Sequence, residues 1–476
     1  MELEVIIGLE IHAEMNTKTK MFCSCSNDNF GKIPNTNVCP ICMGFPGTLP
    51  VPNKESIRKG GVAALALHCQ IQPHSKFDRK NYFYPDLPTG YQISQFDEPI
   101  SKNGWLEISL NGEKKKIGIT RLHLENDAGK LTHGSAGTLL DFNRAGKPLM
   151  EIVSDPDLRS AKEAKEYAET VQKLVRYCDS SDCDMEKGQM RFDASVSLRP
   201  VGDTKLYPRA EIKNLNSFRS LESAIDYEIK RQGELWEKDE APSIETTVGW
   251  DELKGQTYLM REKESAADYR YFPEPDLPPI DISEAELAEW LKEVPEAPGE
   301  KMDRFMKDYA MSEIEARFLA EDGTYAKLFE ATATATKNPK TAASFIGTVL
   351  PSHLKEANKT LAESGLTAAH FTELIQLIDA GTISNNTAKT TVFDEMMLSA
   401  KMPKAIVEEK GLAQVSDTGA IEALCKAAME ANPAAVADVK AGKTKAMAAL
   451  VGYVMKESKG QANPPLVNSI LEKLLV

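Results

Sequence analysis

The sequence predicts an α+β protein, in which an antiparallel-sheet domain with inserted helices is followed by an all-α domain and a small all-α tail. Up to about residue 279, short segments of alternating apolar and polar residues are separated by Gly, Pro and Asn turns, with three helical stretches among them. Beyond residue 294 the chain is rich in Ala, Glu, Lys and Leu at helical spacing, with almost no strand pattern. At 476 residues it is also too long for one ordinary hydrophobic core.

Composition excludes several classes of protein. The formal net charge of −14 argues against a protein that coats nucleic acid, so any RNA binding must be local. No apolar run approaches the roughly 20 residues that a membrane-spanning helix needs, and the N-terminus begins with a strand pattern in place of a signal peptide. We therefore expect a cytoplasmic protein with no membrane partner.

Five predicted strands carry their polar residues on one face, because side chains alternate across a strand with a period of two. In VIIGLEIHAEM, Glu10 and His12 point to the same side, opposite a row of Val, Ile and Leu. Glu151 in LMEIVS shares its face with apolar residues and is expected in a less solvated place. If the strands are neighbours, one sheet face carries, with Glu151 nearby, the charged residues Glu10, His12, Glu125, Asp193, Glu211 and Lys213.

This group of charges predicts a cation site. Several carboxylates on one face need a cation, and carboxylate oxygens with water suit Mg²⁺ or Mn²⁺. A divalent ion beside Lys and Arg is typical of sites for phosphoryl transfer, where catalysis is mainly positioning and charge neutralisation. Polar alternation also marks the solvated face of an ordinary antiparallel sheet, which is the alternative. The chain has no Walker A loop, since Ala437 stands where its first Gly would lie, so ATP binding would need a different fold.

A cysteine cluster predicts a second metal site. Its spacing is C-x-C, then thirteen residues, then C-x₂-C, which suits four thiolates around a tetrahedral structural Zn²⁺. A reducing cytosol disfavours disulfides here, and four thiols without metal are the alternative. The metal ion would fix the conformation of a loop near the first predicted strand. The four residues are Cys23, Cys25, Cys39 and Cys42.

Several long motifs, in order along the whole chain, resemble the GatB family, the B subunits of aspartyl/glutamyl-tRNA amidotransferases. They include GLEIHAEM, DRKNYFYPDLPTGYQISQ, RLHLENDAGK, DFNRAGKPLMEIVSDPD and DYRYFPEPDLPP. The segment LVGYVMKESKGQANPPLVN is similar to the YqeY-type tail of that family. The composition predicts a linker in KEVPEAPGE and a second break near KGLAQVSDTG. With these boundaries, the resemblance implies three domains. They are a cradle domain at 1–293 with a zinc-binding loop at 23–42, a helical domain at 294–406 and a YqeY-like tRNA-binding tail at 407–476.

The resemblance also implies a reaction. A ligase subunit would use ATP to phosphorylate the side-chain carboxylate of Glu-tRNA(Gln) or Asp-tRNA(Asn), and ammonia would then displace phosphate to give Gln-tRNA(Gln) or Asn-tRNA(Asn). The ammonia would come from glutamine hydrolysed in the GatA subunit, with GatC as a third subunit. This chain has no amidase Ser-Ser-Lys motif, which agrees with glutamine hydrolysis in a partner.

Residue roles carry over on the same motifs. The metal-binding positions of the family, counted here as catalytic, fall on Glu10, His12, Glu125 and Glu151, and Lys213 would neutralise charge on the transferred group. The contacts to nucleotide or acyl phosphate are assigned to Asp193, Glu211 and Asn214. The family's zinc site, in the region facing the tRNA acceptor end, matches the four cysteines of the cluster.

The sequence departs from the family pattern at three places. Ser195 replaces a usual Asn, Val248 stands where an Arg is common, and a Gly-Thr pair is missing from residues 206–209. The resemblance therefore does not determine the details of substrate binding in this region. In the tail, five lysines are expected to contact tRNA phosphates, although short terminal helices also serve simply as packing elements. They are Lys440, Lys443, Lys445, Lys456 and Lys459.

Two other functions compete with the kinase and transamidase. A zinc-stabilised tRNA-binding scaffold without catalysis has no use for acidic residues beside His12. A stand-alone ligase is disfavoured because the chain lacks any ammonia-generating motif. The sequence does not choose between Glu-tRNA(Gln) and Asp-tRNA(Asn), or between Mg²⁺ and Mn²⁺.

Overall fold

The computed structural model describes residues 2–110, 112–263, 269–413, 418–440, 446–458, 462 and 464–475. The chain divides into two compact units, Met1–Pro298 and Gly299–Val476. Within the described residues, no helix combines the length and the apolar character needed to cross a membrane. Lys443, Lys445 and Lys459 of the predicted tRNA contact, and residues 414–417 of the second predicted break, lie outside the described residues.

The first unit is built on one large sheet with helices against it. Its strands are β1 (Leu3–Glu14), β2 (Gln70–Ile71), β3 (His74–Ser75), β4 (Asp78–Asn81), β5 (Tyr91–Ser94), β6 (Ser101–Leu110), β7 (Glu113–Asn126), β8 (Lys130–Gly134), β9 (Gly137–Asp141), β10 (Pro148–Ser154), β11 (Met190–Pro200), β12 (Ala210–Leu215), β13 (Glu245–Asp251), β14 (Gln256–Lys263), β15 (Phe272–Pro273) and β16 (Ile280–Asp281). Its helices are α1 (Lys54–Ala66), α2 (Ala161–Tyr177), α3 (Phe218–Glu237) and α4 (Glu284–Glu293).

The large sheet has the strand order β14-β13-β12-β11-β1-β10-β7-β6-β2. The α+β class and the antiparallel-sheet domain are confirmed, and β12 and β13 form one parallel pair within the sheet. Helix α3 lies between these two strands in the chain and supplies the crossover connection that parallel neighbours require. A small sheet of order β15-β4-β5 accompanies the large one.

The apolar face of the large sheet forms the core of the first unit. On β1 the alternation predicted from sequence is confirmed, since Ile7, Leu9 and Ile11 are at most 1% exposed. They belong to the same buried cluster as residues of α2 and α3. Helix α2 begins where the hydroxyl of Ser160 accepts a hydrogen bond from the backbone N–H of Glu163, which satisfies one free donor of the first turn. The polar face of β1 is therefore turned away from the helices.

The second unit is helical throughout its described residues. Its helices are α5 (Pro298–Tyr309), α6 (Glu313–Glu321), α7 (Gly323–Thr336), α8 (Pro339–Ser344), α9 (Leu350–Ala357), α10 (Leu361–Ser364), α11 (Ala368–Asp379), α12 (Asn385–Thr387), α13 (Phe393–Ser399), α14 (Pro403–Lys410), α15 (Thr418–Ala431), α16 (Pro433–Lys440), α17 (Met447–Glu457) and α18 (Pro464–Leu475), with π-helical turns at Phe345–Val349 and Ala388–Val392. One buried cluster runs from Phe305 to Val407 and another from Ile421 to Leu475. The domain boundaries at 294 and 407 stay predictions.

Gly61 in α1 lets a helix and a large side chain approach closely. A Cβ atom at Gly61 would lie 2.3 Å from Cζ3 of Trp290, which is 7% exposed on α4. We expect Gly61→Ala to lower the free energy of unfolding by about 1–3 kcal/mol, because the indole must shift out of its packed position. Urea unfolding of the purified chain measures this.

Gly233 in α3 is the matched control. A Cβ atom there would meet nothing nearer than Cδ1 of Leu198 at 3.9 Å. Gly233→Ala should be neutral or stabilising by up to about 1 kcal/mol, since it only removes backbone freedom from the unfolded chain. Equal effects of the two substitutions would contradict the packing of Trp290 against α1.

Candidate active site

The polar residues selected from the sequence lie on five consecutive strands, in the order β12-β11-β1-β10-β7. The register pairs Glu10 with Asp193 and His12 with Glu151, and it pairs Glu151 with His123 of β7. Directly opposed residues of antiparallel strands point to the same face. One face of the sheet therefore carries all of these side chains.

The first group on this face consists of His12, Glu125 and Glu151. Nε2 of His12 lies 3.3 Å from a carboxylate oxygen of Glu151 and 3.9 Å from one of Glu125. The three side chains bring one ligand atom each to within 4.8 Å of one another. Glu125 and Glu151 are 2% and 6% exposed, so their charges are held out of water. Two buried carboxylates with an imidazole form a donor set that fits a divalent ion.

His123 completes the first group, although it was not among the residues predicted for the site. Its Nε2 lies 3.3 Å from Glu151 and 3.7 Å from Glu125. Burial opposes the charged imidazole, but Glu151 and Glu125 outweigh it and raise the pKa of His123 to about 9. Burial likewise opposes protonation of His12, yet the charge and hydrogen bond of Glu151 raise its pKa too. The His123 imidazolium thus offsets part of the negative charge of the carboxylates.

The pKa values of the two carboxylates shift in the opposite direction, downward. Burial raises the pKa of Glu151, but the charges of His123 and His12 outweigh burial and hold it well below its ordinary value. For Glu125 burial is likewise opposed, chiefly by the hydrogen bond of His123, and its pKa is lowered. Both groups are therefore anionic at neutral pH and available as ligands.

The second group consists of Glu10, Asp193 and Glu211, with Lys213 among them. Nζ of Lys213 lies 2.7 Å from Asp193 and 3.9 Å from Glu10, and it also forms an ion pair with Glu211. Burial and the charge of nearby Glu151 raise the pKa of Glu10, whereas the three carboxylates outweigh burial and raise that of Lys213. The chain itself thus supplies the cation of this group.

Asn214 acts on the second group through its backbone. It has a left-handed conformation with φ of 59°, and its N–H donates to Oδ1 of Asp193 at 2.8 Å. The register of β11 and β12 shifts between Phe192 and Ala194, opposite this position. The irregularity turns the Asn214 side chain to an exposed position while Asp193 is held in place.

Ser94 contacts the first group from the small sheet, and the charge of Lys80 on the same sheet acts on it. The Ser94 hydroxyl donates to Glu125 at 3.2 Å. Burial opposes the charge of Lys80, but Glu125 and other nearby anionic groups outweigh it and raise its pKa. Sequence reasoning missed both residues, because neither lies on the strands whose polar faces were compared. Both residues lie in the motif DRKNYFYPDLPTGYQISQ, which resembles the GatB family and so could have indicated them.

The cysteine cluster is assembled as its spacing predicted. The Sγ atoms of Cys23, Cys25, Cys39 and Cys42 all lie within 4.8 Å of one another, so they could hold one metal ion. The hydrogen bond from Cys23 lowers the pKa of Cys42 to about 5 and raises that of Cys23. A cavity between this loop and the end of β7 is lined by Cys42 and by Asn126 and Asp127.

Lys20 is a fully buried neighbour of the cysteine cluster. It is 0% exposed, and its ammonium donates to the carbonyl of Asn37 at 2.9 Å and to Sγ of Cys42 at 3.7 Å. The backbone N–H of Cys39 also donates to Sγ of Cys42, at 3.2 Å. Both donors favour a thiolate at Cys42.

The departures from the family pattern fall near the second group. Ser195 lies opposite Glu211 and Gly8 in the sheet. Val248 is 4% exposed in the core of the first unit and pairs with Ile212. An apolar residue at 248 suits this position, which has no solvent for a charged side chain.

Known proteins match the chain over nearly its whole length. Family models described as "GatB/GatE catalytic domain" and "GatB domain" match residues 5–288 and 327–475. Three similar proteins are each named as the B subunit of an aspartyl/glutamyl-tRNA(Asn/Gln) amidotransferase. That of Brevibacillus brevis is 48% identical over 99% of this chain and 98% of its own length. That of Persephonella marina is 48% identical over all of both chains, and that of Thermotoga maritima is 48% identical over 100% of this chain and 99% of its own.

Proposed function

The chain belongs to the GatB family, and on this premise we propose that its acidic sheet face is where ATP phosphorylates the side-chain carboxylate of tRNA-bound Glu or Asp. As a member of this family it is an enzyme subunit of a tRNA-dependent amidotransferase, a ligase of protein biosynthesis. The observation that carries the proposal is the convergence of ligand atoms of His12, Glu125 and Glu151 within 4.8 Å of one another. Lys213 lies on the same sheet face, 3.9 Å from Glu10. A tRNA-binding scaffold without catalysis has no need of this arrangement.

The anionic and cationic side chains of this face are proposed to have different roles. His12, Glu125 and Glu151 would hold Mg²⁺ or Mn²⁺, with Glu10 beside them on β1, and the ion would screen the repulsion between ATP phosphates and the attacking carboxylate. Lys213 would neutralise charge on the transferred phosphoryl group, and Asp193 and Glu211 orient its ammonium through their ion pairs.

The atoms of the reaction balance in two steps. A side-chain carboxylate oxygen attacks the γ-phosphorus of ATP and ADP leaves, which gives an acyl phosphate. Ammonia then adds to the acyl carbon, and inorganic phosphate leaves with one of the ammonia protons, which gives the amide. Asn214, with Asp193 and Glu211, is proposed to contact the nucleotide or acyl phosphate.

Partners complete the proposal. The relatives are named as subunits of an amidotransferase acting on tRNA, and we propose GatA, an amidase, and GatC as the partners here, in a heterotrimer. Ammonia would come from glutamine hydrolysed in GatA. The substrates, misacylated tRNA and ATP, support a cytoplasmic location. The tail at 407–476, with exposed Lys440 and Lys456, is proposed to contact tRNA phosphates.

An assay with separated readouts tests the proposal. The chain is assembled with GatA and GatC and given ATP with Glu-tRNA(Gln), Asp-tRNA(Asn) or uncharged tRNA. We expect formation of ADP that depends on the aminoacyl group, and amidation when glutamine is added. Release of ADP at equal rates with charged and uncharged tRNA would contradict phosphorylation of the carboxylate by this chain.

For the cysteine cluster we propose one structural Zn²⁺ per chain, supported by four convergent thiols beside the buried Lys20 ammonium. Lys20→Met should weaken zinc retention and lower the free energy of unfolding by about 1–3 kcal/mol, because Asn37 and Cys42 lose their shared donor. Elemental analysis after dialysis against a chelator, with thermal unfolding, measures both.

Lys18 is the matched control, since it lies two residues away and is exposed. Lys18→Met should leave zinc content and melting temperature unchanged. The proposal for Lys20 fails if both variants keep zinc as the unsubstituted chain does. If the purified chain contains no zinc and cannot take it up, the alternative of four thiols without metal would be correct.

A further inference from the structure

Two aromatic rings form a parallel stack beside the small sheet, one just after β5 and the other just before β15. The ring centroids of Phe96 and Tyr271 are 4.2 Å apart, with 6° between their planes. Phe96 is 55% exposed, whereas Tyr271 is half-buried. The stack therefore has one covered side, and the Phe96 ring is open to solvent.

The charges of the first group act on the covered ring, Tyr271. Burial raises the pKa of Tyr271 to about 12, and the charges of Lys80, Glu125 and Glu151 also act on its hydroxyl. Phe96 follows Ser94, whose hydroxyl donates to Glu125, by two residues. The Cα atoms of residues two apart in a chain are separated by at most about 7 Å. The backbone of Phe96 therefore lies close to a residue that contacts Glu125.

The segments that carry both rings are hydrogen-bonded to β4. The backbone N–H of Phe96 donates to a carboxylate oxygen of Asp78 at 3.0 Å. The guanidinium of Arg79 donates to both oxygens of Glu274, at 2.7 and 2.8 Å, and this bidentate pair fixes the chain segment that follows Tyr271. A preformed platform needs little ordering when a ligand binds.

We propose that Phe96, backed by Tyr271, is the platform on which the terminal unpaired base of the aminoacyl-tRNA acceptor end stacks. The inference rests on the proposed function and adds a binding site for one part of the substrate. Proteins recognise single-stranded nucleotides by stacking their bases on aromatic rings. The ester on the terminal ribose would then project its side-chain carboxylate toward Glu125 and Glu151.

The open position of Phe96 favours the acceptor end over the adenine of ATP. Sites for small ligands enclose most of the ligand surface. A ring that is 55% exposed offers one face only, which suits the end of a large molecule held by other contacts.

Stacking can be measured without catalysis. The assembled enzyme is titrated into uncharged tRNA whose terminal adenine is replaced by 2-aminopurine, a base whose fluorescence falls on stacking. We expect quenching with the unsubstituted chain and with Phe96→Trp, and loss of quenching with Phe96→Leu. The KM for Glu-tRNA(Gln) should rise about tenfold in Phe96→Leu, with kcat and the KM for ATP nearly unchanged.

Phe318 supplies the matched control. It is 41% exposed and packs against Tyr325, so Phe318→Leu removes a comparable ring elsewhere. That variant should quench as the unsubstituted chain does. Unchanged quenching in Phe96→Leu overturns the proposal, and a rise in the KM for ATP alone overturns it in favour of the ATP adenine. Because the fluorescence readout needs no turnover, failure of the proposed function would appear separately, as quenching without amidation.

Discussion

Glu125→Gln is expected to reduce ATP-dependent amidation about a thousandfold while tRNA binding stays unchanged. Glu125 is 2% exposed and shares the first group with His12 and Glu151. The amide keeps the shape of the carboxylate but removes one negative charge and weakens a metal ligand. A bound divalent ion contributes several kcal/mol of charge stabilisation to phosphoryl transfer, and each 1.4 kcal/mol is a factor of about ten in rate. Single-turnover formation of ADP and of amidated tRNA measures the effect.

The same substitution at an exposed carboxylate is the control. Glu107 on β6 is paired with Lys114 at 3.1 Å, and its side chain is 47% exposed. Glu107→Gln should amidate at the normal rate. If Glu125→Gln also amidates normally, the argument for a metal site fails and the scaffold hypothesis replaces it. If the variant loses tRNA binding as well, the group is structural.

The second large effect is expected at Lys213. In Lys213→Met the carboxylates of Glu10, Asp193 and Glu211 face one another without their cation, and the last two are 8% and 6% exposed. Removal of one partner from a buried ion pair costs about 3–5 kcal/mol, because the remaining charge is uncompensated. Amidation should fall by a factor of about 100 to 1,000, since the group that neutralises the transferred phosphoryl is lost.

Two controls separate stability from catalysis in this variant. Lys213→Arg keeps the charge and should retain most of the stability, but its planar guanidinium should not restore the full rate. Excess Mg²⁺ should partly restore the stability of Lys213→Met, because three convergent carboxylates then offer a site for the ion. Thermal unfolding with and without Mg²⁺ measures this. Equal melting temperatures for the Met variant and the unsubstituted chain would contradict the ion-pair network.

Local periodicity was sufficient to select the polar face of each strand. Glu10 and His12 of β1 share a face because successive side chains alternate, a property that depends only on the backbone of that segment. The cysteine spacing predicted a cluster for a similar reason, since short loops bring C-x-C and C-x₂-C pairs together. The residue-by-residue roles came from the resemblance to the GatB family and stay predictions.

Strand order and charge balance were decided only by the tertiary structure. Nothing in an isolated segment determines that β10 lies between β1 and β7, which is what brings Glu151 to both His12 and His123. Helix α3 makes β12 and β13 parallel, an outcome of long-range packing that alternation does not encode.

The sequence by itself determined the family, the α+β class, the polar strand faces and the cysteine cluster, because each depends on local periodicity, spacing or motif order. The structure decided that the acidic residues form two groups. It decided that Lys213 forms ion pairs within one group, and that the charges of His123 and Lys80 act on the other. The physical reason is that pairing between strands and the pKa of a buried group depend on residues far apart in the chain.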